Sequence, residues 1–251
     1  MMRVDIQLNG PIGVLELCVD LPRDPVTAHE TMPIMYQLAD LIVARVLEEQ
    51  TVTCRAACNA CCVQLVPVVE PEMRALAELI GQMPQVRRRT IIQRFEKVEQ
   101  AIHDAGLVEQ LRQPPADAES YDALMERYFR LGQACPFLEG EGCGIYEWRP
   151  TICREYNVIG PASACGDPFH NRVSAVAMPT YLAGVIAAGL TRAQGRKTKV
   201  TPLSLARQWV SENPDAGPRR AALAWLEIFW SVLEGWSFTS RMVTDDKNNL
   251  A

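Results

Sequence analysis

Residues 54–62 read Cys54-Arg55-Ala56-Ala57-Cys58-Asn59-Ala60-Cys61-Cys62, four cysteines in nine positions. A second group follows after a long helical stretch: Cys135, Cys143, Cys153 and Cys165, four within 31 residues. Of nine cysteines only Cys18 lies outside these groups. A metal site needs several thiolates to converge at about 2.3 Å from one ion, and ligands two or three residues apart can curl round one ion or cluster. Cys58-x2-Cys61 is such a pair. Adjacent side chains diverge, so Cys61 and Cys62 are hard to place on a single metal. One of them serves a second metal, or stays a structural or redox thiol.

The second group has matching local chemistry. Glu139-Gly140-Glu141-Gly142 should turn sharply and bring Cys135 to Cys143, as in a zinc-knuckle hairpin. Arg149-Pro150 suits the start of a short helix, since proline is favoured at the first helical position. That places Cys153 in the first turn, where the positive helix end lowers a thiol pKa. Arg55, Arg149 and Arg154 are available to offset thiolate charge, and Phe137, Trp148 and Tyr156 to shield a site from water. His170, five residues past Cys165, is a weaker candidate ligand. Scattered cysteines would be read as buried small hydrophobes. Clustering this dense favours metal, and the candidate ligands are Cys54, Cys58, Cys61, Cys62, Cys135, Cys143, Cys153 and Cys165.

Working outward, 251 residues can bury a full apolar core, so metal is not needed merely to fold. We expect a single domain, 1–251, with a metal-binding region at 54–165. Net charge is −5, which gives no global field for nucleic acid. The one basic block, Arg87-Arg88-Arg89, reads as a solvated helix face. The opening MMRVDIQLNG has no apolar run of the signal-peptide kind. Val173–Thr191 carries no charge but is broken by Pro179, Gly184 and Gly189, so a buried helix is expected rather than a membrane span. The expectation is a cytoplasmic protein in a reducing compartment, where clustered cysteines point to metal or catalysis rather than disulfides.

The fold class expected is mainly α, with a small N-terminal β-hairpin and an irregular Cys-rich metal-binding core. Val4, Ile6 and Leu8 alternate with polar neighbours, Asn9-Gly10-Pro11 turns the chain, and Val14–Val19 returns. Cys18, in the return strand, reads as a core residue. Met32, Met35, Ala39, Ile42 and Val46 form a helical stripe within 31–50. Three helices separate the cysteine groups, marked by Met73 to Met83, by Ile91 to Ala105 and by Tyr121 to Leu131. Helices are also expected near 175–193, 203–212 and 218–235. His103, off its helix stripe, reads as a surface residue, His29 as one near a helix start with no partner in view, and the tail 244–251 as polar and frayed.

These motifs resemble the cysteine-cluster proteins of the YkgJ type, a family of zinc- or iron-chelating domains. The resemblance rests on Cys54, Cys58, Cys61 and Cys62. It continues through Cys135-Pro136-Phe137-Leu138, Cys143-Gly144-Ile145-Tyr146, Arg149-Pro150, Cys153-Arg154-Glu155-Tyr156 and the later Cys165. It covers the middle of the chain and implies a metal site. Members commonly carry the label of iron-sulfur oxidoreductase, and flagellin lysine methylases look like distant relatives. The leading reading is an iron-sulfur cluster, of the 4Fe-4S kind, with a redox partner or protein substrate. The alternatives are a structural zinc module and a lysine methylase-like enzyme, and no catalytic residue is assigned. Cys54-x3-Cys58-x2-Cys61 also has the spacing of a radical S-adenosylmethionine cluster, but no strand-helix series accompanies it. No nucleic-acid or membrane partner is expected.

Overall fold

The computed structural model describes residues 1–55 and 57–243; the tail, with its expected fraying, lies outside them. Strands β1 (Met2–Gly10) and β2 (Gly13–Leu21) form the expected hairpin, with Val4 opposite Val19. Gly10 still pairs with Gly13, so the turn falls at Pro11-Ile12, later than Asn9-Gly10-Pro11. Val4, Ile6, Leu8, Leu15, Val19 and Leu21 are buried. Strand residues alternate faces, and that parity corrects the reading of Cys18: it shares the outward face with Glu16 and Asp20 and is exposed, its Sγ accepting from Arg3 Nε at 3.1 Å.

Helix α1 (Met32–Leu47) buries the expected stripe of Met32, Met35, Ala39 and Ile42. After the first cysteine group come β3 (Pro67–Val69), α2 (Glu70–Gln82), α3 (Gln85–Asp104), a short α4 (Val108–Arg112) and α5 (Ala118–Phe129). Gly106 and Gly132, just past α3 and α5, take φ of +64° and +60°, the left-handed conformation that ends helices on glycine. The second cysteine group carries only small elements: strands β4 (Leu138–Glu139) and β5 (Gly142–Cys143), then α6 (Thr151–Glu155). The chain closes with α7 (Leu182–Gln194), β6 (Val200–Pro202), α8 (Leu203–Glu212), α9 (Ala222–Trp230) and β7 (Ser237–Met242). None of the described helices is long and apolar enough to cross a membrane.

The sequence reading missed β7, which pairs antiparallel with β1 and makes the hairpin a three-stranded sheet of order β2-β1-β7. The sheet's inner face packs with α1, α7 and α9 into one apolar cluster centred on Trp225, Leu226 and Phe229. Helix α7 approaches α9 closely because residue 189 is glycine: a Cβ there would lie 2.9 Å from Phe229 Cα. A second cluster joins α2, α3 and α8 to Phe137 and Ile145 of the cysteine segment. Helix α6 lies against α1 and α7, so the second cysteine group is wedged between the two clusters.

Candidate metal centre

The first cysteine group lies on a loop of successive turns. Backbone N–H groups of Cys58, Cys62 and Gln64 donate to the carbonyls of Arg55, Asn59 and Cys61. This coiling turns the closely spaced thiols inward. The loop is tied to the second group at several points. Cys135 N donates to Cys62 O at 2.6 Å and Thr53 N to Val158 O at 2.9 Å. Val158 N donates to Cys54 Sγ at 3.3 Å, and Gln64 Nε2 to Cys165 O at 2.8 Å.

Cys135 and Cys143 are joined as the turn predicted. Leu138 pairs with Cys143 across β4 and β5, Leu138 N donates to Cys135 O, and Gly140 turns the chain at φ +61°. Two arginines of α3 brace this hairpin from outside. Arg87 donates to Glu139 Oε1 at 3.0 Å and to Gly144 O, and Arg94 Nη1 donates to Leu138 O at 2.7 Å. The basic block is therefore not wholly a solvated face: Arg87 holds the knuckle. The signal was in the residue type, since guanidinium forks suit carboxylates and carbonyls.

Helix α6 starts after Pro150 as expected and carries Cys153. The expected lowering of the Cys153 pKa is corrected. Burial pushes this thiol well above its ordinary value, and Cys135, Cys61 and Cys143 push it in the same direction. A five-residue helix has little dipole to oppose that desolvation. Arg154, almost fully buried, anchors α6. It pairs with Asp40, donates from Nη2 to Glu147 O at 2.6 Å and from Nε to Arg149 O at 2.9 Å, and lies over the Tyr36 ring. It is therefore spent on structure rather than on thiolate charge, whereas Arg149 partly opposes the rise that burial causes in the Cys143 pKa. Glu72 of α2 secures the helix start, accepting from Thr151 N and Oγ1 at 2.6 Å each.

Together these elements enclose a cavity of about 340 Å³. Cys54, Cys58, Cys61, Cys62, Cys135, Cys143 and Cys153 line it, with apolar walls that include Leu65, Phe137, Ile145 and Leu203. For scale, an apolar cavity of about 150 Å³ accepts a benzene. Tyr156 also lines it, while Trp148 packs between the two apolar clusters instead. Cys165 is buried just behind, hydrogen-bonded to Tyr156. His170 is exposed and pairs with Asp167 through Nδ1 at 2.9 Å, and His103 pairs with Asp104 on the surface. His29 does have partners, Thr27 Oγ1 at 2.8 Å and Glu78 at 3.6 Å.

All nine cysteines are free thiols. The expected Cys-rich metal-binding core is not shown as a ligand set: among the described residues, no group of three or more His, Cys, Asp or Glu is placed to hold an ion as it stands. Bare thiols pack as small apolar groups along the wall. Burial first, then neighbouring cysteines, push Cys135 up to about 12 and also raise Cys54, Cys143 and Cys165. The Cys61 thiol is raised chiefly by its hydrogen bond to Cys62 and then by burial. So many crowded, buried thiols can all deprotonate only beside a cation, which is the chemistry of a metal-thiolate site. The donor set thus fits a thiophilic metal.

Comparison with known proteins agrees. No curated protein and no solved structure matches the chain. Residues 53–172 match the model of the CxxCxxCC family, described as a "putative zinc- or iron-chelating domain". The first gap here holds three residues, Cys54-x3-Cys58, where the family's name has two. The match spans all eight clustered cysteines and most of the residues that line the cavity, and it is a likeness of this segment to that family.

Proposed function

We propose that the eight clustered cysteines hold iron-sulfur and that the protein works in electron transfer with a redox partner. The observation that carries this reading is the cavity: seven thiols from two distant segments share about 340 Å³ of mostly apolar space. A single zinc ion gripped by four thiolates would fill a small part of it, whereas thiolate-ligated clusters are larger and are commonly held by four cysteines each. When bound, such a cluster supplies one-electron chemistry at a potential set by its hydrogen bonds and exposure. The chain's own part is to bind and to exclude water. Phe137 and Ile145 are buried in the wall, and Val158 N donates to Cys54 Sγ, a bond of the kind that stabilises sulfur charge.

Strictly anaerobic purification, followed by iron, zinc and acid-labile sulfide analysis and an absorption spectrum, tests this. Iron with matching sulfide and a broad visible band is the expected result. Stoichiometric zinc and a colourless protein would replace the redox reading with a structural one. No metal of either kind would overturn the site altogether.

A further inference from the structure

Away from the cysteine cavity, α4, β6 and α8 enclose a second cleft of about 270 Å³. Among the described residues the two cavities share no lining residue. Thr201 of β6 lines the second cleft, is only 2% exposed, and has a hydroxyl with no hydrogen-bond partner. Buried hydroxyls are nearly always bonded, because an unmade bond is costly. This one asks for a ligand.

The charges round the cleft are sorted. Arg112 and Glu212 are taken up with each other at 2.7 Å. Lys199 is not: its ammonium caps Arg112 O, the last carbonyl of α4, and meets no carboxylate among the described residues. Glu109 accepts from Gln113 Nε2 at 2.7 Å and meets no cation among the described residues. One unpaired cation, one unpaired carboxylate and one unbonded hydroxyl thus line the same cleft. Leu205 and Trp209 of α8 supply an apolar wall. Arg74 holds that wall, lying 5.1 Å over the Trp209 ring and donating from Nη1 to Asn213 O at 2.9 Å.

We propose that this cleft binds a free α-amino acid with an apolar or aromatic side chain. Its carboxylate accepts from Lys199 and Thr201, its ammonium group meets Glu109, and its side chain lies against Leu205 and Trp209. The sorting of charge selects this class. A polyanion would be repelled by Glu109 and Glu212, and a bare cation by Lys199 and Arg112, whereas a zwitterion satisfies both unpaired charges at once. Size agrees: an apolar cavity of about 150 Å³ accepts a benzene, so this cleft has room for such a side chain together with the charged groups.

The test is isothermal titration of the purified full chain with the standard L-amino acids, paired with thermal unfolding. At least one apolar or aromatic member should bind saturably and raise Tm. Its N-acetyl and methyl ester derivatives each lack one charge and should bind about tenfold more weakly or worse. Thr201→Val keeps the side-chain shape and removes the hydroxyl. It should raise the Tm of the ligand-free chain yet weaken binding about tenfold, a split that a purely structural threonine would not give. Thr201→Ser should keep the affinity. If Thr201→Val fails to fold, Lys199→Met replaces it and should weaken binding at least as much. No binding by any amino acid would overturn the proposal and leave the cleft to water. Derivatives that bind as tightly as the parent would overturn it too. An affinity unchanged in Thr201→Val would place the amino acid elsewhere, the cysteine cavity included.

Discussion

The sheet with α1, α7 and α9 and the cysteine-bearing segments are stabilised in different ways. The first region is held from within. Trp225, Leu226, Phe229, Val4, Leu8 and Ile42 are essentially fully buried against one another. Each such side chain contributes roughly 1.5–3 kcal/mol by leaving water. The second region has short elements and is held from without, by side chains of neighbouring helices reaching its backbone: Arg87 and Arg94 on the hairpin, Glu72 on Thr151, Arg154 on two carbonyls. This difference explains how a cavity can be walled with thiols. A region that made its own apolar core would close on itself, whereas one braced from its periphery can leave its centre open for a ligand.

The sharpest way to break the comparison is to damage one region and watch the other. Trp225 is buried on all sides, stacks on Phe229 and donates from Nε1 to Val26 O at 2.9 Å. Trp225→Ala should cost about 3–5 kcal/mol, read as a lower urea midpoint. Metal per folded chain should stay unchanged. A loss of metal in the still-folded protein would show that the two regions are not independent. Arg154→Met tests the bracing. It removes two donors from loop carbonyls and a buried charge partly paired with Asp40 of α1, and should cost about 2–3 kcal/mol. Here metal retention should suffer as well, because α6 carries Cys153. Full metal content in that variant would mean α6 is placed by packing alone.

The same contrast explains what the sequence disclosed. The amphipathic helices and the hairpin were legible because their periodicity reports apolar burial directly: α8 spans Leu203–Glu212 against an expected 203–212. The cysteine spacing disclosed the knuckle at Gly140 and the short helix after Pro150. What escaped was long-range. β7 is only six residues, mostly exposed, and gains meaning only by pairing with β1 across the whole chain. The roles of Arg87, Arg154 and Glu72 escaped because a charged residue on a helix looks solvated until its distant carbonyl or hydroxyl is known. Cys18 was misread although strand parity with Glu16 and Asp20 would have placed it outside.

A smaller effect sharpens the comparison at the boundary between the regions. Tyr36 of α1 is buried under Arg154, and its hydroxyl has no hydrogen-bond partner. An unsatisfied buried polar group costs about 1–3 kcal/mol, so Tyr36→Phe should stabilise the metal-free protein by about 1 kcal/mol. That corresponds to a rise of about 2–4 °C in Tm, measurable by calorimetry. A fall in Tm would show that the hydroxyl is satisfied in solution and joins the two regions through water.

The smallest effect lies in the self-supporting region. His29 is half-buried beside Thr27, and desolvation lowers its pKa below the ordinary 6.5. Glu78 and Glu30 oppose that lowering, and Arg74 and Arg219 reinforce it. The neutral ring is thus the form the fold prefers. Above pH about 6.5 the ring is neutral in folded and unfolded chains alike and contributes no pH dependence. Below it the unfolded chain takes up the proton first, so stability should decline as pH falls from 6.5 toward the lower folded-state value. His29→Gln should flatten this slope in urea titrations between about pH 5 and 7 and leave metal content unchanged. A slope that persists in His29→Gln would move its origin to another titrating group. The cysteine region is the first alternative, because metal-thiolate sites lose metal to protons as pH falls. Metal content measured across the same range separates the two.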